Sequence, residues 1–317
     1  MSVFIKAAQN DLDYVKLNMT HIEMVDEKKK SLLHYAVTGS AMEVITYLLS
    51  LDINVNMIDQ HGETPLFDAA RKGKLQIAKM LIAKFAQVNI ENRMGELPIH
   101  LAALKGDLEM IKLLIESGAY LNKTTHEDKY PIHYAVSAGK HEVVDYLLKQ
   151  SKQHYFLKDV HGNTLLHYAT KTNNVILIDL LLNQNLNPNA LNDQFETPIF
   201  NAVRFGSIET VRLLLASDAY IDIKNRRFES PVDTALIFDK KDILGYISDY
   251  MQSPKYERLK EKQALAIAVL NRDHHHLRML IENRVPMKKD RLNKTAMDYA
   301  KEYHLNLFVG MLKEVEI

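Results

Sequence analysis

Cysteine and tryptophan are absent from the 317-residue chain. Without cysteine there is no disulfide, thiolate zinc site, iron–sulfur cluster or cysteine nucleophile. An excess of charge of one sign is lacking too. Forty Lys and Arg stand against 40 Asp and Glu, a formal net charge of +0. A chain-wide basic field for gripping nucleic acid or an anionic membrane is therefore excluded. No apolar run approaches the roughly 18 residues of a membrane-spanning helix. Residues 1–16 include Lys6, Asp11 and Asp13 and lack the basic start and long apolar stretch of a secretory signal. The segment Val309–Ile317 offers no cysteine for a lipid. The composition is otherwise ordinary, with 47% hydrophobic and 25% charged residues, which excludes wholesale disorder. A cytoplasmic protein is expected, the alternative being an effector delivered through a non-classical secretion signal. Abundant Lys, Asn and Ile fit an AT-rich genome, such as a bacterial one. Length alone predicts two domains of about 150 residues.

What is present overrides that count. The hexapeptide Ser31-Leu32-Leu33-His34-Tyr35-Ala36 returns as Thr64-Pro65-Leu66-Phe67-Asp68-Ala69 and Leu97-Pro98-Ile99-His100-Leu101-Ala102. Four further copies begin at Tyr130, Thr164, Thr197 and Ser230. Their closing alanines, Ala36, Ala69, Ala102, Ala135, Ala169, Ala202 and Ala235, are spaced 33, 33, 33, 34, 33 and 33 residues apart. Weaker copies end at Ala268 and Ala300, and Phe4–Ala8 opens an incomplete unit. Internal repetition at such a period means a stack of like units.

Each unit has its own local logic. Thr or Ser can cap a helix with its hydroxyl. Proline next to it loses nothing, because that N–H has no helical partner. The small alanine lets neighbouring helices approach closely. Gly73, Gly106, Gly139 and Gly206 fall about four residues later, where a tight turn calls for positive φ. A second helix follows with apolar residues at helical spacing, as in Leu75, Ile77, Ala78, Leu81 and Ile82. Turn sequences such as Asp59-Gln60-His61-Gly62 close the unit.

The Thr-Pro-Leu-His-x-Ala pattern at a 33-residue period resembles the ankyrin-repeat family over nearly the whole chain. The resemblance implies an all-α solenoid of about nine to ten helix-turn-helix units with short β-hairpin fingers. It also implies a concave face of fingers and first helices that binds another protein. We expect one domain over 1–317: a capping unit at 1–30, seven well-matched repeats at 31–238, and divergent repeats with a C-terminal cap at 239–317. Departures are visible. Leu165 replaces proline, Asn173 replaces glycine, and Phe195 and Phe228 replace the finger glycine. One extra residue falls between Ser151 and Lys158, and residues 239–262 lose the finger motif, which predicts a local change of geometry.

Chemistry is sparse. His34, His100, His133 and His167 recur at one repeat position in different repeats, so they cannot converge on one ion. Phe67 and Phe200 occupy the same position, so a turn-fixing hydrogen bond is the better account of these histidines. In His274-His275-His276, neighbouring side chains diverge, and a solvated turn is expected. No nucleophile elbow, phosphate loop, dinucleotide fingerprint or zinc-protease motif occurs. We therefore expect no enzyme, cofactor or metal. Lys28-Lys29-Lys30, Arg226-Arg227 and Lys288-Lys289 are short basic runs near acids, and nucleic acid is not expected.

The resemblance assigns partner contacts to finger tips and to the ends of first helices. Those residues are Arg71, Lys72, Met94, Leu104, Lys105, Arg204, Phe205, Arg226, Arg227 and Phe238. Glu63, Glu96, Glu196 and Glu229 share one finger position, giving a mixed-charge row that orients a partner. Aromatic side chains beside arginine are the usual composition of an interface anchor. For Phe195 and Phe228 the alternative is burial between fingers. A monomer is expected. The alternatives are self-association through Leu305, Phe308 and Met311, or a separate regulatory or catalytic element in the C-terminal third.

Overall fold

The computed structural model describes residues 2–150 and 157–315, in two compact units, Met1–Val160 and His161–Ile317. The extra residue expected between Ser151 and Lys158 lies outside the described residues for 151–156. The first unit holds five helix pairs: Val3–Ala8 with Leu12–Asn18, Leu32–Gly39 with Met42–Ser50, Pro65–Lys72 with Leu75–Ala83, Pro98–Lys105 with Leu108–Glu116, and Pro131–Ser137 with His141–Gln150. The second continues with Leu165–Lys171 and Val175–Asn183, Pro198–Phe205 and Ile208–Ala216, and Pro231–Ile237 and Lys241–Met251. An additional helix, Pro254–Lys262, follows. Two last pairs are Ala264–Leu270 with His274–Glu282 and Ala296–Glu302 with Asn306–Leu312.

The seven register alanines are all fully buried. A larger side chain there would meet the next first helix. Gly73, Gly106 and Gly139 adopt φ of 67°, 82° and 68° and close their first helices as expected. Gly206 departs from the expectation: its φ is −90° with an extended ψ of −167°. Ser207 starts the next helix instead, its hydroxyl accepting from the Thr210 N–H at 3.4 Å, while Asn173 Oδ1 accepts the Ser207 N–H at 3.1 Å. Asn173, in place of glycine, takes φ 52°.

The fingers are hairpins reduced to their turns, with isolated bridges such as Val25 to Ser31 in place of strand ladders. The Asp59 N–H donates to Glu63 O at 2.9 Å and the Gly62 N–H to Asp59 O at 3.0 Å. A side chain organises each turn from within. Asp59 Oδ1 accepts from the N–H groups of His61 and Glu63 at 2.8 and 3.1 Å. Asn92 and Asn225 repeat this at 2.9 and 3.0 Å. Such local acceptors are why Asn and Asp favour turns.

The departure expected at 239–262 is a helix where the eighth finger would stand. Ser253 caps it and Pro254 occupies its first turn. Tyr256 anchors it, its hydroxyl donating to Asp222 at 2.9 Å. Beyond it the last two pairs share a core with Leu191, Tyr220 and Ile223, from the loops of earlier repeats. The Leu191 N–H donates to the Tyr303 hydroxyl oxygen at 2.8 Å. Arg291 donates to the carbonyls of Ser217 and Leu182 at 3.0 and 3.1 Å. The stacking surface of the Pro231–Ile237 helix stays open as a result. Leu236 is 58% exposed, although its equivalents Val37, Ala70, Ala103, Val136, Thr170 and Val203 are fully buried. Phe308 and Met311 are buried in the C-terminal core, so they do not offer the self-pairing surface considered from sequence. Among the described residues, no helix is long and apolar enough to cross a membrane.

Candidate functional site

The recurring histidines come first, because they set the fingers. His34 Nδ1 accepts from the Ser31 N–H at 3.1 Å and lies 2.8 Å from the Ser31 hydroxyl. Nε2 therefore carries the proton and donates to Glu63 O, 2.9 Å away in the next finger. His167 repeats both contacts, to Thr164 and to Glu196 O at 3.0 Å. Burial pushes His34 below its ordinary pKa, partly offset by the hydrogen bond to Glu63. Burial likewise pushes His100 down to about 4. His34 and His167 are thus struts between a helix cap and the following finger, whereas His100 Nδ1 accepts from the Leu97 N–H at 3.0 Å and its Nε2 is buried without a partner among the described residues.

The glutamates so placed hold the arginines. Glu63 pairs with Arg71, eight residues on, which also donates to Asp68 at 3.0 Å. In the second unit Glu196 pairs with Arg204, again eight residues on, at 2.8 Å. The Glu63 and Glu196 carboxylates are each only 12% exposed. Removing either arginine would leave a nearly buried carboxylate uncompensated. Arg71 and Arg204, expected to reach for a partner, are thus committed first to the fold. Lys72 is exposed, and its Nζ donates to Thr38 O at 3.2 Å. In the same unit Glu96 accepts from the Tyr134 hydroxyl at 2.6 Å and from Asn92 at 2.7 Å. Above this compensated polar network Met94 and Leu104 are 59% and 43% exposed, and Lys105 is exposed.

The second unit gathers the rest of the expected set. Arg204 lies under both Phe205 and Phe238, its guanidinium 5.7 and 5.4 Å from the ring centres. The two rings remain about half exposed. Beside them opens a cleft of about 440 Å³, lined among others by Glu196, Arg204, Asn225, Arg227, Glu229 and Phe238. Asn225 spans its floor, donating to Glu229 at 3.0 Å. Arg226 and Arg227 are exposed at the finger tip, and among the described residues neither makes an ion pair. Arg204, Phe205, Arg226, Arg227 and Phe238 thus form one aromatic and cationic surface around a cleft with two carboxylates.

Phe195 and Phe228 differ from each other. Both take the finger-glycine position with φ of 60° and 61°, a region that bulky residues rarely enter. Phe195 lies between two guanidiniums, Arg226 at 4.7 Å and Arg272 at 3.3 Å from its ring centre. Phe228 is 80% exposed. Sequence spacing did not reveal Arg272, because it arrives from the C-terminal pairs across the missing finger. The paired Glu and Arg eight residues apart were legible, but only as a charge row. His274, His275 and His276 are exposed but open the helix His274–Glu282, capped by Asp273, instead of forming the expected turn, and among the described residues no three metal-ligating side chains cluster.

A family model described as ankyrin repeats in three copies matches residues 4–92, 86–159 and 152–225. An ankyrin repeat protein of fowlpox virus (strain NVSL) is 32% identical over 95 residues, 28% of this chain and 28% of that protein. A transient receptor potential cation channel subfamily A member 1 homolog of Caenorhabditis elegans is 33% identical over 89 residues, 27% of this chain and 7% of that one. The matched stretches thus span less than a third of either relative.

Proposed function

From the premise that the chain belongs to the ankyrin-repeat family, we propose that it is a non-enzymatic module holding a partner protein against the fingers and first-helix ends of its second unit. Ankyrin repeats are generally protein-interaction modules. The observation that carries the reading here is the cluster of half-exposed Phe205 and Phe238 over a fixed arginine, with Arg226 and Arg227, which make no ion pair among the described residues, beside them. Aromatic and arginine side chains give the most binding free energy per residue when a partner desolvates them. The clamp by Glu196 holds Arg204 in place before binding, which lowers the ordering cost. The compensated network of Glu63, Asp68, Arg71 and Glu96 suits orientation more than anchoring. Met94, Leu104, Lys72 and Lys105 give the first unit a secondary contact surface. The recurring histidines are engaged in structure, and no cofactor is needed for binding by shape and charge.

The experiment is affinity capture from native lysate, read by mass spectrometry. Wild type is run beside the double variant Phe205→Ala/Phe238→Ala, chosen because it leaves the Glu196–Arg204 pair intact. Circular dichroism and the unfolding midpoint establish that the variant is folded. A protein captured by wild type and lost by the variant is expected. Equal capture by both would remove the assignment to these two rings.

A further inference from the structure

Neighbouring fingers are joined tip to tip by one backbone hydrogen bond. In the first unit the N–H groups of Gln60, Arg93, His126 and Val160 donate to the carbonyls of Lys28, His61, Met94 and Glu127 at 2.8, 2.9, 3.0 and 3.0 Å. In the second, the Asp193 and Arg226 N–H groups donate to His161 O and Gln194 O at 3.0 and 2.9 Å. The row then stops, because the Pro254–Lys262 helix replaces the next finger. Two groups are left without the neighbour that their equivalents have. The Arg227 carbonyl, one repeat beyond Gln194, has no such donor among the described residues. The Phe228 ring, one repeat beyond Phe195, is 80% exposed.

The preceding step of the row shows what fits there. Arg226 makes both contacts at once: its N–H donates to Gln194 O and its guanidinium lies on the Phe195 ring. One arginine in a turn therefore satisfies a finger that ends in phenylalanine. We propose that the seventh finger is a docking end for an arginine-bearing turn of the partner protein, whose N–H bonds the Arg227 carbonyl and whose guanidinium stacks on Phe228. A guanidinium over an aromatic face is attractive, and more so once water is excluded. Neighbouring cations do not bar it, since Arg226 and Arg272 already share one ring. The backbone argues in the same direction. A phenylalanine at φ 61° is held in a conformation that glycine adopts freely, and at 80% exposure Phe228 buries little of its ring in return. Strain that yields nothing inside the fold points to a use outside it.

This inference rests on the reading that the molecule binds a protein, and its test is separate from the capture experiment. The probe is a fluorescent cyclic peptide with the sequence of residues 223–230, the turn that seats itself on the sixth finger. Its binding to the whole chain is followed by anisotropy. We expect binding that weakens roughly tenfold when the peptide carries Arg226→Gln, and roughly tenfold when the protein carries Phe228→Leu. A second protein variant, Phe228→Gly, guards against misfolding. Its unfolding midpoint should rise as the strain is released, while the peptide is lost. Equal binding by Phe228→Leu, equal binding of the Arg226→Gln peptide, or no binding at about 1 mM peptide would overturn the proposal. Failure of the peptide with partner capture intact removes only the arginine docking end. Failure of capture with the peptide bound removes only the Phe205 and Phe238 surface.

Discussion

Tyr220→Ala is expected to lower stability by about 3–5 kcal/mol, the usual cost of truncating a buried aromatic. Tyr220 is 2% exposed and joins the loop of an earlier repeat to the core of the last two helix pairs. Its ring packs in one cluster with Leu191, Ile223, Leu265 and Tyr299. The last two pairs are tied to the earlier repeats by this shared cluster and by a few polar bonds. The change should be seen first as new proteolytic cleavage within residues 264–315, and then as a lower unfolding midpoint. Tyr220→Phe makes the complementary point. The hydroxyl is buried with no hydrogen-bond partner among the described residues, and burial drives the phenol pKa upward. Removing an unsatisfied hydroxyl should leave stability unchanged or raise it by about 1 kcal/mol. A Tyr220→Ala protein as stable and as protease-resistant as wild type would contradict this account of how the C-terminal pairs are held.

Acid should weaken the molecule through its buried histidines. Burial holds His100 near 4, below its ordinary 6.5, and holds His34 below 6.5 as well. In the window between the two values the unfolded chain binds protons that the folded one refuses. Stability is therefore complete above about pH 6.5 and falls as the pH drops towards 4. The His100 contribution alone approaches about 3 kcal/mol when fully developed. His100→Phe should remove that part of the acid loss, because Phe67 and Phe200 already fill the same place fully buried. Denaturant midpoints of wild type and variant, followed from pH 7.5 to 4, check it. Parallel curves would show that His100 does not titrate with unfolding.

The sequence made the stack legible because a buried alanine cannot drift: one small residue per 33 fixes where helices touch, and all seven are fully buried. The fingers were legible through their glycines, less so through the Asn and Asp that organise them. One informative signal went unread. His34 and His167 reach the next finger with Nε2, a bond that a carboxylate cannot donate. Asp233 and Asp298 stand at that position and bond only backward, to Ser230 and Thr295, each at 2.7–2.8 Å. Asp233 thus stands just before the repeat whose finger is replaced by the Pro254–Lys262 helix. The docking of the C-terminal pairs was not legible. Leu191 and Tyr303 are 112 residues apart in the chain, and periodicity carries no information about such a contact. Nor did spacing show that Arg71 and Arg204 are held by carboxylates rather than free. That required the side-chain geometry across a finger and a helix end.

Hydrogen exchange of the captured complex tests the central claim most directly. Amide protection on partner binding should concentrate in the fingers at 193–196 and 226–229 and at the helix ends around Phe205 and Phe238. The segment around Phe85 in the first unit, itself 86% exposed and apolar, should exchange as in the free protein. Protection confined to residues 264–315, or to the second helices of the repeats, would contradict binding through the fingers and first-helix ends.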